Sequence, residues 1–214
     1  MSTLLDNWDL FRTGFLTTLE LLLLSGVLSL LLGTFLAALR VSPVPALRVA
    51  GAGYVTLLRN TPLTAVFFLV VFSFPALGID LSFFARAVVA LTAYTAAFVC
   101  EAVRAGVNTV QVGQAEAARA LGMTFPQTLR DVVMPQAVRS VLPPLASVVI
   151  ALAKNTTVAA GFSVLEAGAI RAYLSERGYP VVSGLLWVAL GFLIVVLPLS
   201  LLQRRLEASW SVAR

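Results

Sequence analysis

Apolar residues along the chain occur in long runs that are separated by short polar segments. The runs cover roughly residues 13–39, 51–77, 81–103, 141–164 and 180–202. A helix needs about 20 mostly apolar residues to cross the hydrocarbon core of a bilayer. Each run is long enough, so the pattern predicts an all-α integral membrane fold with five transmembrane helices. We expect one membrane domain over residues 1–214.

Polar residues interrupt two of these runs, and polar residues within a span usually face a cavity or a partner. The two breaks consist of eight residues: Arg59, Asn60, Thr61, Pro62, Lys154, Asn155, Thr156 and Thr157. Because proline lacks a backbone N–H, we expect a new half-helix from Pro62 to about Pro75, with Thr61 as its N-cap. The N-terminus of a half-helix carries partial positive charge, which suits a carboxylate. The breaks are therefore candidate parts of a substrate path.

Alternatives remain open for the charged residues in the spans. Arg59 could extend to the membrane interface while its stem stays in lipid. A lysine facing lipid would cost about 2.5–3.5 kcal/mol, so we expect Lys154 to face a pore or to pair with a carboxylate such as Glu101. Glu101 and Arg104 are one helical turn apart and predict an ion pair. For Glu20, a hydrogen bond between helices is favoured over a transport role.

Composition supports the membrane interpretation and excludes several functions. The chain is 59% hydrophobic and 12% charged, whereas soluble domains have about 25% charged residues. Its net charge is +5, but the basic residues are scattered and form no nucleic-acid-binding face. It has no histidine, which excludes histidine acid–base chemistry, and the single Cys100 excludes a disulfide or a cysteine metal site. The sequence calls for no cofactor. The acidic residues Asp6 and Asp9 and the long first run argue against a cleavable signal peptide.

The distribution of arginine predicts the orientation, because cytoplasmic loops carry an excess of basic residues. With the N-terminus outside, nine arginines lie on the inner side: Arg40, Arg48, Arg104, Arg119, Arg130, Arg139, Arg204, Arg205 and Arg214. Four lie on the outer side: Arg12, Arg86, Arg171 and Arg177. We therefore expect Met1 outside and Arg214 in the cytoplasm.

The segment 113–138 is the most polar long stretch, and it predicts two short cytoplasmic helices. The first is alanine-rich over about 114–121, and Gly122 suits the C′ position, where φ is often positive. Thr124 is a candidate N-cap for the second helix, with Gln127 placed to complete a capping box. We expect this second helix to end just before Pro135.

One face of the first helix offers a small apolar knob formed by Ala117, Ala118 and Leu121, suited to the groove of another protein. We expect ion pairs to brace this knob through three charged residues: Glu116, Arg119 and Arg130.

At this segment the sequence resembles a known family. "EAARALGMTF" followed by "QTLRDVVMPQAVRSVLPPL" resembles the EAA loop of ABC importer permeases of the polar amino acid uptake class. The resemblance extends to "AFVCEAVRAGVNTVQVGQAEAARALG", "RNTPLTAVFF" and "ALAKNTTVAA", and is strongest with the glutamate permease subunits of actinobacteria. The wider class more often has Gly at position 60, and Asp and Ser near Asn155 and Thr157.

The resemblance implies a type I ABC importer transmembrane domain in the bacterial plasma membrane. It implies that an ATPase dimer docks under the EAA loop, that a second permease, a sister chain rather than an identical copy, completes the pore, and that an extracytoplasmic binding protein delivers the substrate. The substrate would be a polar amino acid, L-glutamate first, with glutamine, cystine or a basic amino acid as alternatives. The residues expected to couple to the ATPase are Gly113, Glu116, Ala117, Ala118, Leu121 and Gly122.

The residues themselves also indicate that another subunit hydrolyses ATP. The chain has no G-x-x-x-x-G-K-[ST] phosphate loop, since its single lysine, Lys154, follows Ala-Leu-Ala. We therefore predict a membrane subunit that is not an enzyme. A carrier or channel acting alone is the remote alternative, against which the coupling loop and the lack of an inverted repeat both count. An intramembrane hydrolase is disfavoured because no nucleophile motif lies near Lys154.

Overall fold

A computed structural model describes residues 2–210, and every regular element within that range is helical. The all-α prediction is therefore confirmed, whereas the predicted sides of Met1 and Arg214 concern residues outside the described range. The helices are α1 (Ser2–Leu5), α2 (Trp8–Val41), α3 (Pro45–Arg59), α4 (Leu63–Ala76), α5 (Phe83–Val107), α6 (Val112–Ala120), α7 (Phe125–Gln127), α8 (Met134–Asn155), α9 (Ile170–Glu176) and α10 (Val181–Trp210). A π-helical turn (Thr128–Val133) joins α7 to α8, and 3-10 segments cover Thr156–Phe162 and Ala167–Ala169.

Four helical stretches are long and apolar enough to cross a membrane by length and composition. They are Trp8–Val41, Phe83–Val107, Phe125–Phe162 and Val181–Ala208. Helices α3 and α4 form a fifth crossing if they are taken as one span bent by 104°. This arrangement agrees with the five predicted runs and places the first break, from Arg59 to Pro62, at the bend.

Contacts between the helices give their directions. Helices α2 and α5 run parallel, because Gly33 packs against Val99 and Arg40 contacts Glu101 further along both helices. Helix α8 runs antiparallel to α5, with Val141 against Gly106 near the end of α5. Helix α10 then returns alongside α8. The bundle thus has a loop end, which carries α6, and a far end, which carries α9 and the start of α2.

The largest apolar core lies where α2, α4, α5 and the end of α8 meet. Leu21, Phe67, Leu91 and Leu152 are almost completely buried there. By contrast, the most apolar 18 residues of α10 include no buried residue, and the exposed surface of this helix is largely apolar. A surface of this kind suits lipid or another membrane subunit.

The prediction that a short helix ends before Pro135 is wrong. The helix that begins at Phe125 continues without interruption to Phe162. Proline removes one helical hydrogen bond and its ring crowds the carbonyl four residues earlier. Here the preceding turn is π-helical, with the Met134 N–H bonded to the Leu129 carbonyl, and this wider turn accommodates the proline. The fourth crossing is therefore continuous with the second helix of the polar loop.

Candidate functional site: a coupling loop and two helix breaks

The polar loop folds as a helix, a sharp turn and a second helix start. Gly122 has φ +81° at the C′ position of α6, as predicted. The Met123 N–H donates to the Ala118 carbonyl at 3.1 Å and the Gly122 N–H donates to the Arg119 carbonyl at 2.9 Å. These two bonds form a Schellman motif, which satisfies the last carbonyls of α6. The turn therefore has one defined geometry.

The second helix of the loop begins with the predicted capping box. Thr124 is the N-cap of α7, and its backbone N–H donates to Gln127 Oε1 at 2.9 Å. A cap of this kind fixes the first turn of a helix. Helix α6 and the capped start of α7 therefore form a rigid unit at the loop end of the bundle.

The exposed face of this unit differs from the predicted knob. Ala118 is 4% exposed and faces inward, whereas Leu121 and Phe125 are 84% and 74% exposed. Glu116 and Ala117 are also exposed. The exposed apolar face of this unit therefore includes Phe125 in place of Ala118.

The predicted bracing by ion pairs is also wrong. Glu116 has no ion pair with any residue of the described chain, and the Arg119 Nε–H donates to the Ala115 carbonyl at 3.2 Å. Arg130 contacts its neighbour Asp131 at 3.8 Å. Instead, α6 packs against the π-helical turn that follows α7, so packing holds the loop while Glu116 stays exposed.

The break between α3 and α4 is built differently from the expected N-cap. The Thr61 hydroxyl donates to the Leu57 carbonyl and the Asn60 Nδ2–H donates to the Thr56 carbonyl, both at 2.8 Å. These side chains therefore satisfy the C-terminus of α3, and Pro62, not Thr61, is the N-cap of α4. No described side chain caps α4, and the Ala65 and Val66 N–H groups donate to the Pro62 carbonyl at 3.0 and 3.2 Å.

Arg59 lies at this break beside Phe98 and Glu101 of α5. Its guanidinium is 5.6 Å from the centre of the Phe98 ring, and Nη1 lies 3.8 Å from Glu101 Oε1. The predicted Glu101–Arg104 pair is confirmed at 2.9 Å. Arg40, which no sequence motif indicates, also donates to Glu101. That contact depends on the parallel packing of α2 and α5, which no local pattern indicates.

At the second break, from Lys154 to Thr157, the chain changes from α-helix to the narrower 3-10 helix. Helix α8 ends at Asn155 and continues as a 3-10 segment, in which the Thr156 and Thr157 hydroxyls donate to the Ala153 and Lys154 carbonyls at 2.9 and 2.7 Å. Thr156 is fully buried. Lys154 is exposed, and between residues 2 and 210 it has no ion pair. The alternative that Lys154 pairs with Glu101 is therefore wrong.

Two cavities meet at Phe98. One, of about 280 Å³, is bordered by Arg59, Asn60 and Glu101. The other, of about 270 Å³, is bordered by Asn155. Phe98 borders both, so Arg59, Asn60 and Asn155 lie on neighbouring spaces. The remaining predicted path residues do not border these two cavities: Thr61, Pro62, Lys154, Thr156 and Thr157.

Glu20 lies in α2 on an exposed, leucine-rich face. The expected hydrogen bond between helices is not made within the described part of this chain. Because a carboxylate facing lipid is costly, this position suits contact with another subunit.

Glu166 is a buried carboxyl that no sequence pattern indicates. It is fully buried beside Thr18 of α2, whose hydroxyl lies 3.2 Å from Glu166 Oε2 and accepts the Ala167 N–H at 3.0 Å. Burial raises the pKa of the Glu166 carboxyl, which hydrogen bonds from Thr18 and from the backbone of Gly168 and Ala169 oppose in part. The contact ties the segment after α8 to α2, 148 residues away in the sequence.

A bundle of membrane-crossing helices, with cavities at two helix breaks and a helical loop exposed at one end, is the architecture expected of a membrane permease. Residues 29–212 match the family model described as binding-protein-dependent transport system inner membrane component. The chain belongs to this family.

Curated relatives cover the whole chain. The glutamate transport system permease protein GluC of Corynebacterium efficiens is 38% identical, with 100% of each chain covered. The probable glutamine ABC transporter permease protein GlnM of Bacillus subtilis is 35% identical, with 98% of this chain and 99% of the relative covered. A chain in the crystal structure of an amino acid ABC transporter with histidines matches with a TM-score of 0.90 and 27% identity, over 96% of both chains.

The protein is thus the permease subunit of an amino acid ABC importer, with the type I transmembrane fold and several passes through the plasma membrane. Subunits of this kind are not catalytic, and the partner ATPase hydrolyses ATP.

Proposed function

We propose that this permease imports L-glutamate. The observation that carries the proposal is the cavity beside Arg59, where a half-exposed guanidinium faces open space. A guanidinium favours a carboxylate. Among the relatives, those named for glutamate transport include the GluC proteins of two Corynebacterium species.

The proposed substrate path follows the two breaks. Arg59 and Lys154 supply positive potential for a substrate with net negative charge. Asn60 and Asn155, which border the two cavities, supply hydrogen bonds to the substrate. Thr61, Thr156 and Thr157 donate their hydroxyls to helix carbonyls and, together with Pro62, shape the two breaks. Lys154 is exposed and unpaired in the described chain, which fits a pore completed by a second permease. Since exposure also fits a residue at the lipid interface, uptake by Lys154→Met decides between the two.

We further propose that residues 1–214 form a single permease domain whose loop, about 113–138, enters a cleft of the ATPase dimer. The coupling residues are Gly113, Glu116, Ala117, Ala118, Leu121 and Gly122, with Ala118 supporting the loop from inside. An extracytoplasmic binding protein delivers the substrate, and a sister permease completes the pore. The N-terminus lies outside and the C-terminus in the cytoplasm, as the arginine distribution favours.

Glutamine is the second candidate substrate, because full-length relatives include the GlnM protein of Bacillus subtilis, named as a probable glutamine permease. Glutamine shares the backbone carboxylate but lacks the second negative charge, so Arg59 could bind either amino acid. Cystine and basic amino acids are further alternatives.

Uptake competition distinguishes these substrates. The complete importer is reconstituted in liposomes with its ATPase and binding protein, and ATP-driven uptake of radiolabelled L-glutamate is measured against unlabelled amino acids. We expect glutamate to compete most strongly and aspartate next, while glutamine, cystine and arginine compete weakly. Strong competition by glutamine with weak competition by aspartate would instead support the glutamine assignment.

A further inference from the structure

Three arginines surround the single carboxylate of Glu101, and they hold it unequally. Arg40 donates a hydrogen bond to Oε1, and Arg104 donates one to Oε2 at 2.9 Å. Arg59 lies 3.8 Å from Oε1, which is beyond hydrogen-bonding distance. The cluster of Glu101, Arg40, Arg59 and Arg104 therefore has two tight contacts, one loose contact and a net charge of +2.

The loose contact is also the one that faces open space. The cavity of about 280 Å³ is bordered by Arg59 and Glu101, but not by Arg40 or Arg104. The Arg59 side chain is 45% exposed and that of Glu101 is 20% exposed. The volume is near the lower end for small-molecule sites, about 300–1,000 Å³, and the remaining wall includes the polar side chains of Thr56 and Asn60.

We propose that Glu101 competes with the substrate for Arg59. Glu101 contacts the Arg59 guanidinium while the cavity is empty, and a substrate carboxylate replaces Glu101 when it binds. This inference rests on the proposed function, because it requires Arg59 to bind an acidic amino acid. Arg40 and Arg104 keep Glu101 in place after the exchange. Arg59 exchanges one carboxylate for another, and Glu101 keeps Arg40 and Arg104 as partners at both stages.

The unequal distances explain why such an exchange is possible. A half-exposed ion pair contributes little free energy, whereas a guanidinium can hold a free carboxylate through two parallel hydrogen bonds. The substrate carboxylate therefore displaces Glu101 from Arg59, but competition from Glu101 lowers the affinity for the substrate. A transport site must bind well enough to admit the substrate and weakly enough to release it, and Glu101 would set this balance.

The test is a double-mutant cycle on the purified complex of permeases and ATPase in nanodiscs, without the binding protein. Binding of radiolabelled L-glutamate is measured for the native complex, Glu101→Gln, Arg59→Met and the double variant. We expect Glu101→Gln to raise the affinity about two- to fivefold, the range that a weak exposed ion pair allows. Arg59→Met should lower it about tenfold or more, and adding Glu101→Gln to Arg59→Met should change nothing further.

The double variant separates competition from a general effect of charge. Removing any nearby negative charge would attract glutamate, but only competition acts through Arg59. A gain in affinity that persists in the Arg59→Met background would overturn the inference, as would the absence of any gain in Glu101→Gln. Unchanged affinity of Arg59→Met alone would instead contradict the proposed function.

Arg40→Gln keeps the inference testable if Glu101→Gln does not fold. Without Arg40, Glu101 can move towards Arg59, so glutamate affinity should fall about two- to fivefold. This loss should also vanish in the Arg59→Met background. A purely structural role for Glu101 predicts that Arg40→Gln lowers affinity equally in both backgrounds, and that result would refute the competition.

Discussion

The close contact between α2 and α5 predicts a strong effect of one added methyl group. A Cβ at Gly33 would lie 2.5 Å from Val99 Cβ and 2.8 Å from the Ala96 carbonyl oxygen. Carbon atoms pack best at about 3.5–4.0 Å, so Gly33→Ala forces the two helices apart by about 1 Å. Small residues allow this approach in membrane helices. Since Arg40 lies two turns further along α2, the separation should also loosen its contact with Glu101.

Gly26 in the same helix provides a matched control. A Cβ added at Gly26 would lie 3.7 Å from Leu152 Cδ2, an ordinary van der Waals contact. Both substitutions gain the better helix propensity of alanine, about 1 kcal/mol, so the difference between them isolates the overpacking. Overpacking typically costs about 1–3 kcal/mol, which corresponds to about 2–12 °C in melting temperature for a chain of this size.

The assay is thermal unfolding of the purified permease in detergent, followed by size-exclusion chromatography after heating. We expect Gly33→Ala to melt about 2–12 °C below Gly26→Ala, and Gly26→Ala to melt at or above the native protein. Equal melting temperatures for the two variants would refute the close packing of α2 on α5.

Three further predictions follow from other parts of the fold. Gly122 and Gly178 have similar positive φ angles, +81° and +79°, in turns at opposite ends of the bundle, so valine strains both positions alike. Only Gly122→Val should reduce copurification of the ATPase, because only Gly122 lies in the proposed coupling loop. An equal effect of both substitutions would argue against that role of the loop. Because burial raises the pKa of Glu166, its contribution to stability should be greatest below the usual glutamate pKa of about 4.3 and should be lost as the pH rises through the raised pKa. Glu166→Gln should flatten this pH dependence of the melting temperature. An unchanged pH dependence in Glu166→Gln would contradict the assignment to Glu166. In a Cys100→Ala background, a membrane-impermeant thiol reagent applied outside cells should label Ser175→Cys and not Gln114→Cys, and the reverse pattern would invert the proposed orientation.

Local patterns predicted those parts of the fold that depend on neighbouring residues. Gly122 and the Thr124–Gln127 capping box act within one turn of backbone, and both have the expected geometry. The same local reasoning failed at Pro135, because a π-helical turn upstream accommodates the proline. It also failed at Thr61, whose hydroxyl satisfies the preceding helix and not the following one.

Contacts between distant residues could not be predicted in this way. Arg40 and Glu101 meet because Gly33 lets two parallel helices approach closely, and Glu166 meets Thr18 across 148 residues. Neither Arg40 nor Glu166 lies in a motif that marks it as functional. For the proposed substrate path, both breaks are visible in the sequence, but the positions of Arg59, Asn60 and Asn155 around the cavities at Phe98 follow from the packing of α3, α5 and α8.

The most direct test of the account is ATP-driven L-glutamate uptake by the reconstituted importer carrying Arg59→Met or Lys154→Met. The control is Arg48→Met, which removes an exposed arginine of α3 that binds only backbone carbonyls within the described chain. Losing one charge-assisted hydrogen bond costs about 1.5–3 kcal/mol. We therefore expect Arg59→Met and Lys154→Met to slow uptake roughly ten- to a hundredfold at low substrate concentration while the ATPase stays bound. The uptake rate of Arg48→Met should equal that of the native importer. Uptake by Arg59→Met at the native rate would contradict the claim that the cavity at the break binds the transported acid.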